Sequence, residues 1–298
     1  MLGTAAGGGL PQWNCGCRNC CDARSGKIPP LTQSSVAVRD ESGEWFLINA
    51  SPDLPTQIRA GFDFQPATGT LRGTTISGVF LTNADLDHVL GLWTLREGEK
   101  LHIHATRAVR GTLDECLNLT AILEAFCGVA WHEPPETDFA PILQKNGEPS
   151  SLRYRAIKLP GNPPLFARGK YPDGTHSVAY EIMDRKTGRR LLVAPDVGEC
   201  NEALTAAMRE ADAVLFDGTF WSEDELSRVK NTTRTAAQMG HVTIRDFSRS
   251  LLNSLPAAHK IYIHINNTNP ILCPDSPERA AVEAAGIRVG QDGWEFEL

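Results

Sequence analysis

The sequence predicts an α/β fold in which strands and helices are stacked in layers. Two patterns lead to this prediction: β-branched and apolar runs of strand length recur along the chain, and segments with helical spacing lie between them. The third observation is size, because 298 residues of which 41% are hydrophobic can bury a substantial core. No internal repeat or long low-complexity linker divides the chain. We therefore expect residues 1–298 to form one domain.

The predicted strands are short runs of β-branched, aromatic and aliphatic residues bounded by turn residues. They span residues 34–38, 44–50, 76–82, 101–105, 177–183, 190–195, 213–217, 260–265 and 294–298. Helices are predicted at 106–119, 201–211, 243–255 and 276–286. The last helix has Ser276 as N-cap, Pro277 at its first position and Gly286 beyond its end. The Pro- and Gly-rich tracts at 134–150 and 160–175 are predicted to be inserted loops that could form a lid.

Composition and charge argue against several classes of function. The net charge of −7 leaves no global basic surface for nucleic acid. No apolar run approaches the ~18 to 20 residues that span a bilayer, and the N-terminus lacks a positive region followed by an apolar one. We therefore expect a cytoplasmic protein with no nucleic-acid or membrane partner, which acts on a small molecule or another protein.

Four of the eight cysteines crowd into the run NCGCRNCC at residues 14–21. Such close neighbours are poorly placed to form disulfides with one another, and in a cytosolic protein a cluster of this kind more often binds metal. Cys15, Cys17 and Cys20 have Cys-x-Cys-x-x-Cys spacing, which can fill three corners of a zinc tetrahedron. We predict a structural zinc in this loop, with inert reduced thiols as the alternative.

A second set of polar residues stands where predicted strands give way to loops. The run LTNADLDHVLGL at 81–92 contributes half of this set, and later strand ends contribute the rest. A strand that ends in a loop holds a side chain rigidly while exposing it. One such residue is more often structural, but several at neighbouring strand ends indicate a shared site. The residues are Asn83, Asp85, Asp87, His88, Asp196, Asp217, His241 and His264.

The order of these motifs resembles that of the metallo-β-lactamase superfamily. The end motifs GTAAGGGLPQWNCGCRNC at 3–20 and HINNTNPIL at 264–272 resemble a family within it that takes part in the synthesis of pyrroloquinoline quinone (PQQ). The resemblance runs from Gly3 to the final DGWEFEL and implies a four-layer αββα sandwich with a metal site along one edge. The chain departs from the family in its first strand, since only residues 1–2 precede the glycine-rich turn. We expect the natural start to lie a few residues upstream.

The resemblance also implies a ligand set. Hydrolases of the superfamily hold two metal ions with a His-x-His-x-Asp-His motif, and Asn83 and Asp85 stand here at its two leading histidines. The first metal would therefore lack ligands. The ligands of the second metal match Asp87, His88 and His264, with Asp196 at the bridging position. Two further candidates are predicted as ligands or as groups that support them, namely His241 and Asp217.

Two imidazoles and one carboxylate on one metal are the ligand set of mononuclear non-haem Fe(II) oxygenases. We therefore predict an Fe(II)- and O2-dependent hydroxylase in which Asp87, His88 and His264 are catalytic. The resemblance implies that its substrate is the crosslinked Glu-Tyr precursor of PQQ, whose tyrosine-derived ring gains oxygen, and that other PQQ pathway proteins are possible partners. The alternatives are a carrier of PQQ or its precursor, and a metal-dependent hydrolase such as a phosphodiesterase.

A polycarboxylate substrate requires a local basic pocket in this acidic protein. The run SRVKNTTRT places Arg228, Lys230 and Arg234 shortly before His241. Arginine binds carboxylates in a bidentate manner, so we predict that Arg234 binds substrate, with a solvated charged loop as the alternative. The loop after His264 is predicted to contribute three more substrate-binding residues, Asn266, Asn267 and Asn269.

The fourth ligand of the predicted zinc remains open. In hydrolases with a similar cysteine motif, a histidine three residues after the last active-site histidine completes the tetrahedron, and that position is Asn267 here. Cys21, a water molecule or another residue of the loop at 266–270 could take its place. We expect the cysteine site to be remote from the catalytic metal.

Overall fold

Two β-sheets pack face to face in the computed structural model, which describes residues 1–61, 64–66, 69–170, 174–229 and 232–298. The first sheet has the order β1-β2-β3-β4-β5 and the second the order β12-β11-β10-β9-β8-β7-β6. The first sheet is formed by β1 Val36–Arg39, β2 Trp45–Ile48, β3 Ile76–Phe80, β4 Leu101–His104 and β5 Val129–His132. The second contains β6 Ala140–Leu143, β7 Pro149–Leu159, β8 Ser177–Asp184, β9 Arg190–Ala194, β10 Ala213–Asp217, β11 His259–Ile263 and β12 Arg288–Val289.

Helices cover the outer face of each sheet. They are α1 Arg18–Arg24, α2 Leu54–Arg59, α3 Leu86–Val89, α4 Leu92–Leu95, α5 Arg107–Leu117, α6 Leu119–Phe126, α7 Glu202–Glu210, α8 Arg249–Asn253 and α9 Pro277–Ala284. Capping side chains begin three of them, because Thr106, Asn201 and Ser276 each accept a hydrogen bond from a backbone N–H of the first turn. None of the described helices is long and apolar enough to cross a membrane.

Three apolar cores separate the four layers. The inner core lies between the sheets and includes Phe46 and Phe80 from the first sheet and Tyr180 from the second. A second core joins the first sheet to helices α3 to α6, and a third joins the second sheet to helices α7 to α9. Strand β10 is buried along its whole length, as expected for a parallel strand with both faces covered. The predicted αββα sandwich is therefore confirmed.

Several predicted elements differ from those observed. The segment 294–298 is not a strand, although its aromatic residues alternate; they pack against the open end of the inner core, where Phe296 stacks on His259. The predicted loop at 134–150 contains β6, and β5 and β7 were not predicted. The missed β7 alternates buried and outward residues, but its outward charges hide the strand pattern. The predicted helix at 243–255 consists of a π-helical turn, Ile244–Ser248, followed by α8.

One buried tyrosine joins the two sheets next to the candidate site. The hydroxyl of Tyr180 on β8 donates to the carbonyl oxygens of Leu81 and His104, each at 3.1 Å. In the same contact between the two sheets, which we call the seam, the backbone N–H of Val178 donates to the carbonyl oxygen of Thr82 at 2.8 Å. Because residues 81 and 82 lead into the motif at 83–88, these hydrogen bonds fix the position of that motif relative to the second sheet.

We expect Tyr180→Phe to lower the free energy of unfolding by about 1 kcal/mol, because the substitution keeps the ring and removes one shared donor from a buried seam. Urea denaturation at constant pH measures the change. A midpoint equal to that of the wild type would show that the hydroxyl does not stabilise the contact between the sheets.

Candidate metal centre

The predicted site residues meet at one edge of the sandwich. Strands β9, β10 and β11 are parallel, so their carboxyl ends lie side by side, and β3 brings its own carboxyl end to the same edge from the other sheet. The loops that follow these strands carry the polar side chains. In chain order they are Asn83, Asp85, Asp87, His88, Asp196, Asp217, His241 and His264, and all but His88 and Asp217 line one cleft.

Asp87, His88 and His264 form the first group that could hold a metal ion. Their ligand atoms all lie within 4.8 Å of one another. Nε2 of His264 is 3.2 Å from Oδ2 of Asp87, and Nε2 of His88 is 3.7 Å from the same oxygen. The His88 nitrogen is fully buried and has no hydrogen-bond partner among the described residues. A buried imidazole nitrogen facing a carboxylate fits a metal ligand, because otherwise its desolvation is uncompensated.

Asp196, His241 and His264 form a second group of the same kind. Oδ1 of Asp196 is 3.3 Å from Nδ1 of His264 and 3.7 Å from Nδ1 of His241, and its Oδ2 is 3.4 Å from Nδ1 of His88. Asp196 therefore contacts all three histidines. His264 belongs to both groups, so the two groups are not two independent sites.

Hydrogen bonds to Nδ1 orient the histidine rings. The Thr219 hydroxyl donates to Oδ1 of Asp217 at 2.6 Å, and Nδ1 of His264 lies 2.8 Å from that hydroxyl oxygen. Since the hydroxyl proton goes to the carboxylate, we infer that Nδ1 of His264 carries a proton and donates it to Thr219. Nδ1 of His241 likewise lies 2.8 Å from Oδ2 of Asp217. Nε2 is then the nitrogen of each ring that faces a metal ion, and in His264 it contacts Oδ2 of Asp87 at 3.2 Å until a metal ion displaces its proton.

Asp217 supports the site and is not placed to bind metal. It is fully buried, and both of its oxygens accept hydrogen bonds, from the backbone of Val197 and Thr219 as well as from Thr219 and His241 side chains. Of the two roles predicted for Asp217, the structure places it as a supporting group. Thr219 was not predicted, although its position two residues after an Asp at a strand end is typical of a hydrogen-bonded turn.

A similar arrangement holds His88. Its Nδ1 is 3.2 Å from Oγ1 of Thr82, which in turn contacts the Asn49 side chain. Asn49 is buried and has a positive φ of 62°, and His264 has a φ of 54°. Non-glycine residues rarely adopt this conformation, and where they do the surrounding structure must hold them. Asn and His adopt it more often than most residues do, but the local sequence does not require it at either position.

Asn83 and Asp85 occupy the positions of the two missing histidines without replacing them. Nδ2 of Asn83 donates to Oδ2 of Asp196 at 2.7 Å, and its Oδ1 accepts from the backbone N–H of Asp85 at 3.0 Å. Asn83 therefore holds Asp196 in place. Burial, together with the carboxylates of Asp196 and Asp87, raises the pKa of Asp85 to about 7.

The pKa values of the candidate ligands are shifted in the directions expected of a site where a metal cation can replace a bound proton. Burial alone would lower the pKa of His264, but the carboxylates of Asp196 and Asp87 outweigh it and raise that pKa to about 10. Burial alone would likewise raise the pKa of Asp87, but His88 and His264 hold it well below its usual range. In the metal-free protein a protonated His264 thus balances the carboxylates that a metal ion would otherwise balance.

The three sulfurs of the cysteine cluster are also close enough together to bind one metal ion. The sulfurs of Cys15, Cys17 and Cys20 lie within 4.8 Å of one another, and all eight cysteines are free. Burial and the neighbouring thiols raise the pKa of Cys17 to about 12. Three thiolates so close together would repel one another without a cation, so this donor set fits a thiophilic ion such as zinc.

Asn267 lies against all three sulfurs. Its Nδ2 is 3.2 Å from Cys15 Sγ, 3.6 Å from Cys17 Sγ and 3.2 Å from Cys20 Sγ, so its amide occupies the fourth side of the cluster. Cys21 is exposed and its thiol points to the carbonyl of Gly16 instead. The expectation that the cysteine site is remote was wrong, because Asn267 follows His264 by three residues, and Cys15 and Cys17 line the same cleft as His264.

The cleft is large and polar, with a volume of about 1410 Å³. Arg234 and Asn266 line it, as a substrate-binding role requires. Asn269 is fully buried outside the cleft, where it donates to the Gly218 carbonyl and accepts from the Ile271 N–H, and this placement argues against the predicted substrate contact. Arg228 pairs with Asp224, and Lys230 lies outside the described residues. Residues 160–165, part of the predicted loop at 160–175, also border the cleft.

We expect metal binding to release about one proton per ion near pH 7.5, because a ligand nitrogen of His264 must lose its proton first. The pKa of His264 is about 10, so the ring is protonated at every lower pH and the apparent affinity should rise as pH rises. The slope should be about tenfold per pH unit. Titration calorimetry in buffers of different ionisation enthalpy measures the proton, and binding without proton exchange would contradict the protonated ring.

We expect Cys17→Ser to lower the zinc content and to lower the thermal midpoint by about 2 °C or more, the shift that about 1 kcal/mol causes in a chain of this size. Cys21→Ser is the matched control, because Cys21 lies outside the three-sulfur cluster, and it should keep both properties. Elemental analysis and calorimetry measure the two quantities. If the Cys17→Ser protein has the stability of the wild type, the alternative of inert reduced thiols is supported and the structural zinc is not.

Comparison with known proteins agrees with this geometry. Residues 44–265 match the model of the beta-lactamase superfamily domain. The chain is 42% identical to coenzyme PQQ synthesis protein B of Cupriavidus taiwanensis, over 100% of this chain and 98% of that protein. It is 41% identical to the protein of the same name from Stutzerimonas stutzeri, over 100% and 99%.

A solved structure shows the same relationship. The crystal structure of zinc-bound PqqB from Methylobacterium extorquens superimposes with a TM-score of 0.88 at 36% identity, and the match covers 100% of this chain and 98% of that one. Identity at this level over the full length shows common family membership as well as a common fold. The chain belongs to the coenzyme PQQ synthesis protein B family, within the metallo-β-lactamase superfamily.

Proposed function

We propose that this protein takes part in PQQ synthesis as an Fe(II)- and O2-dependent hydroxylase of the tyrosine-derived ring of the Glu-Tyr precursor. The observation that carries the proposal is the group of Asp87, His88 and His264, in which two imidazoles and one carboxylate converge, and Asp87 and His264 of this group line the cleft. This is the donor set of mononuclear non-haem iron oxygenases. The names of the relatives support the pathway, and family membership supports a metal-dependent activity.

Two features support binding of a single redox-active ion. The unsatisfied Nε2 of His88 and the neighbouring Asp87 carboxylate offer hard and borderline donors and no thiolate. The cysteine cluster offers three sulfurs instead, and this difference in donors supports zinc at the cysteines and iron at Asp87, His88 and His264. Bound Fe(II) would supply the activation of O2 for ring hydroxylation.

The proposed reaction balances with an external reductant. One atom of O2 replaces a ring hydrogen as hydroxyl, the other leaves as water, and the reductant supplies two electrons and two protons. The chain itself positions the groups. Thr82 and Thr219 orient the rings of His88 and His264, and Asn83 holds Asp196. Asp85 lines the cleft beside these ligands, where its carboxylate can accept a hydrogen bond from a substrate hydroxyl.

A metal-dependent hydrolase is the second candidate. The observation that favours it is the second ligand group, in which Asp196 and His241 join His264. Two-metal hydrolysis needs a complete ligand set for each ion. Asn83 and Asp85 replace the imidazoles that would complete the other set, and His264 is shared, so the geometry favours one ion.

We expect His88→Ala and His264→Ala each to abolish Fe(II) binding and O2-dependent hydroxylation, because each removes one of three ligands. Asn83→Ala should reduce activity by about 10- to 100-fold at most, as the loss of a supporting partner does. His259→Ala is a matched control, because His259 begins the strand that ends before His264 and therefore lies at its opposite end. Iron content and oxygen-coupled product formation are the measurements.

Two results would overturn the hydroxylase. Turnover of the precursor in the absence of O2 would exclude an oxygenase, and full activity with zinc in place of iron would exclude redox chemistry at the metal. Two metal ions bound at the edge of the sandwich, with hydrolysis of a phosphodiester, would establish the hydrolase instead.

A further inference from the structure

The cleft contains two arginines without an acidic partner. Arg168 and Arg234 are exposed and line the cleft, and neither forms an ion pair with any residue in the part of the chain that the structure describes. The other two arginines of the cleft are paired, Arg18 with Asp22 at 3.6 Å and Arg228 with Asp224 at 2.7 Å. Nη2 of Arg234 donates one long hydrogen bond to the carbonyl oxygen of Gln238 at 3.5 Å, and its other donors, like the guanidinium of Arg168, are available to an anionic ligand.

The free arginines belong to separate segments, and each segment also exposes an aliphatic residue to the cleft. Arg168 follows the helical turn Leu165–Ala167, in which Leu165 is 62% exposed. Arg234 follows the turn that ends at Arg228, after which Val229 is 46% exposed. Exposed aliphatic side chains beside unpaired cations match a ligand that is both apolar and anionic.

The acidic side of the cleft constrains where an anion can bind. Asp85, Asp87 and Asp196 lie around the metal centre. Their carboxylates repel the carboxylates of a ligand, unless a ligand carboxylate binds the metal ion itself. Arg168 and Arg234 offer the opposite charge elsewhere in the same cleft. A ligand with several carboxylates on a flat ring would be attached at two points, which fixes the orientation of the ring.

The geometry points to Arg168 as a carboxylate-binding residue that acts together with Arg234 on an aromatic polycarboxylate. This inference rests on the proposed function, because that function supplies the substrate class. It adds a residue on the tract at 160–175, which the sequence indicated as a loop that could form a lid. The two arginines determine which substrates bind, and the metal ligands determine the chemistry.

The test compares the Kd of PQQ for the wild type and three variants of the metal-loaded protein. Arg168→Ala should weaken binding by about tenfold or more, the effect of losing a charge-assisted pair of hydrogen bonds. Arg168→Lys should recover part of the loss, because lysine keeps the charge but not the planar fork. Arg185→Ala is the matched control; Arg185 is exposed in the turn between β8 and β9, and β9 runs from this turn towards the cleft.

A second ligand separates carboxylate recognition from a general effect on the cleft. The trimethyl ester of PQQ keeps the ring system and lacks the anionic carboxylates. Its affinity should be the same for the wild type and Arg168→Ala, because the guanidinium then has no carboxylate to bind. Metal content and thermal midpoint, measured on every variant, show that the fold and the metal centre are intact.

The outcomes separate this inference from the proposed function. If Arg168→Ala binds PQQ as tightly as the wild type, or if Arg185→Ala loses as much affinity, the role of Arg168 is overturned, whereas oxygen-dependent hydroxylation can still be observed. If Arg168→Ala weakens binding of the trimethyl ester as much as it weakens binding of PQQ, Arg168 shapes the cleft and does not bind carboxylate. If the wild-type protein binds no PQQ, the inference fails together with its substrate class.

Discussion

The site depends on two carboxylates held close together at the wall of the cleft. Asp87 and Asp196 lie on opposite sides of the His264 ring, at 3.2 Å and 3.3 Å from its nitrogens. Like charges at this spacing, away from bulk water, require a cation between or beside them. In the metal-free protein a protonated imidazole provides that charge, and a metal ion is the other group that can. The arrangement of nearby hydrogen bonds follows from this requirement.

The fold meets the requirement through the pairing of parallel strands. The carboxyl ends of β9, β10 and β11 place Asp196, Asp217 and His264 side by side, while β3 of the facing sheet delivers the motif at 83–88. Thr219 then links Asp217 to His264, and Tyr180 fixes the seam between the sheets. Each link uses a neutral hydroxyl, which orients a charged partner without adding charge to the buried cluster.

The cysteine loop and the metal centre share one short segment of chain. His264 and Asn267 are three residues apart, yet the first faces the carboxylates and the second faces three sulfurs. The carbonyl oxygen of Asn267 also accepts a hydrogen bond from Asn19 at 3.0 Å. Order in the cysteine loop therefore bears directly on the position of His264, whose positive φ must be held by its surroundings.

By itself the sequence determined a layered α/β domain, because strand periodicity and helix caps are local properties, while its resemblance to the metallo-β-lactamase superfamily implied the αββα sandwich and the ligands Asp87, His88 and His264. It failed at β7, where outward charges hid the alternation, and at 294–298, where alternation reflects packing without a partner strand. Only the tertiary structure decided that Asp217 supports two histidines, that Asn269 is buried away from the cleft, and that the cysteines adjoin the metal centre. These facts depend on distances between residues far apart in the chain, which no local pattern records.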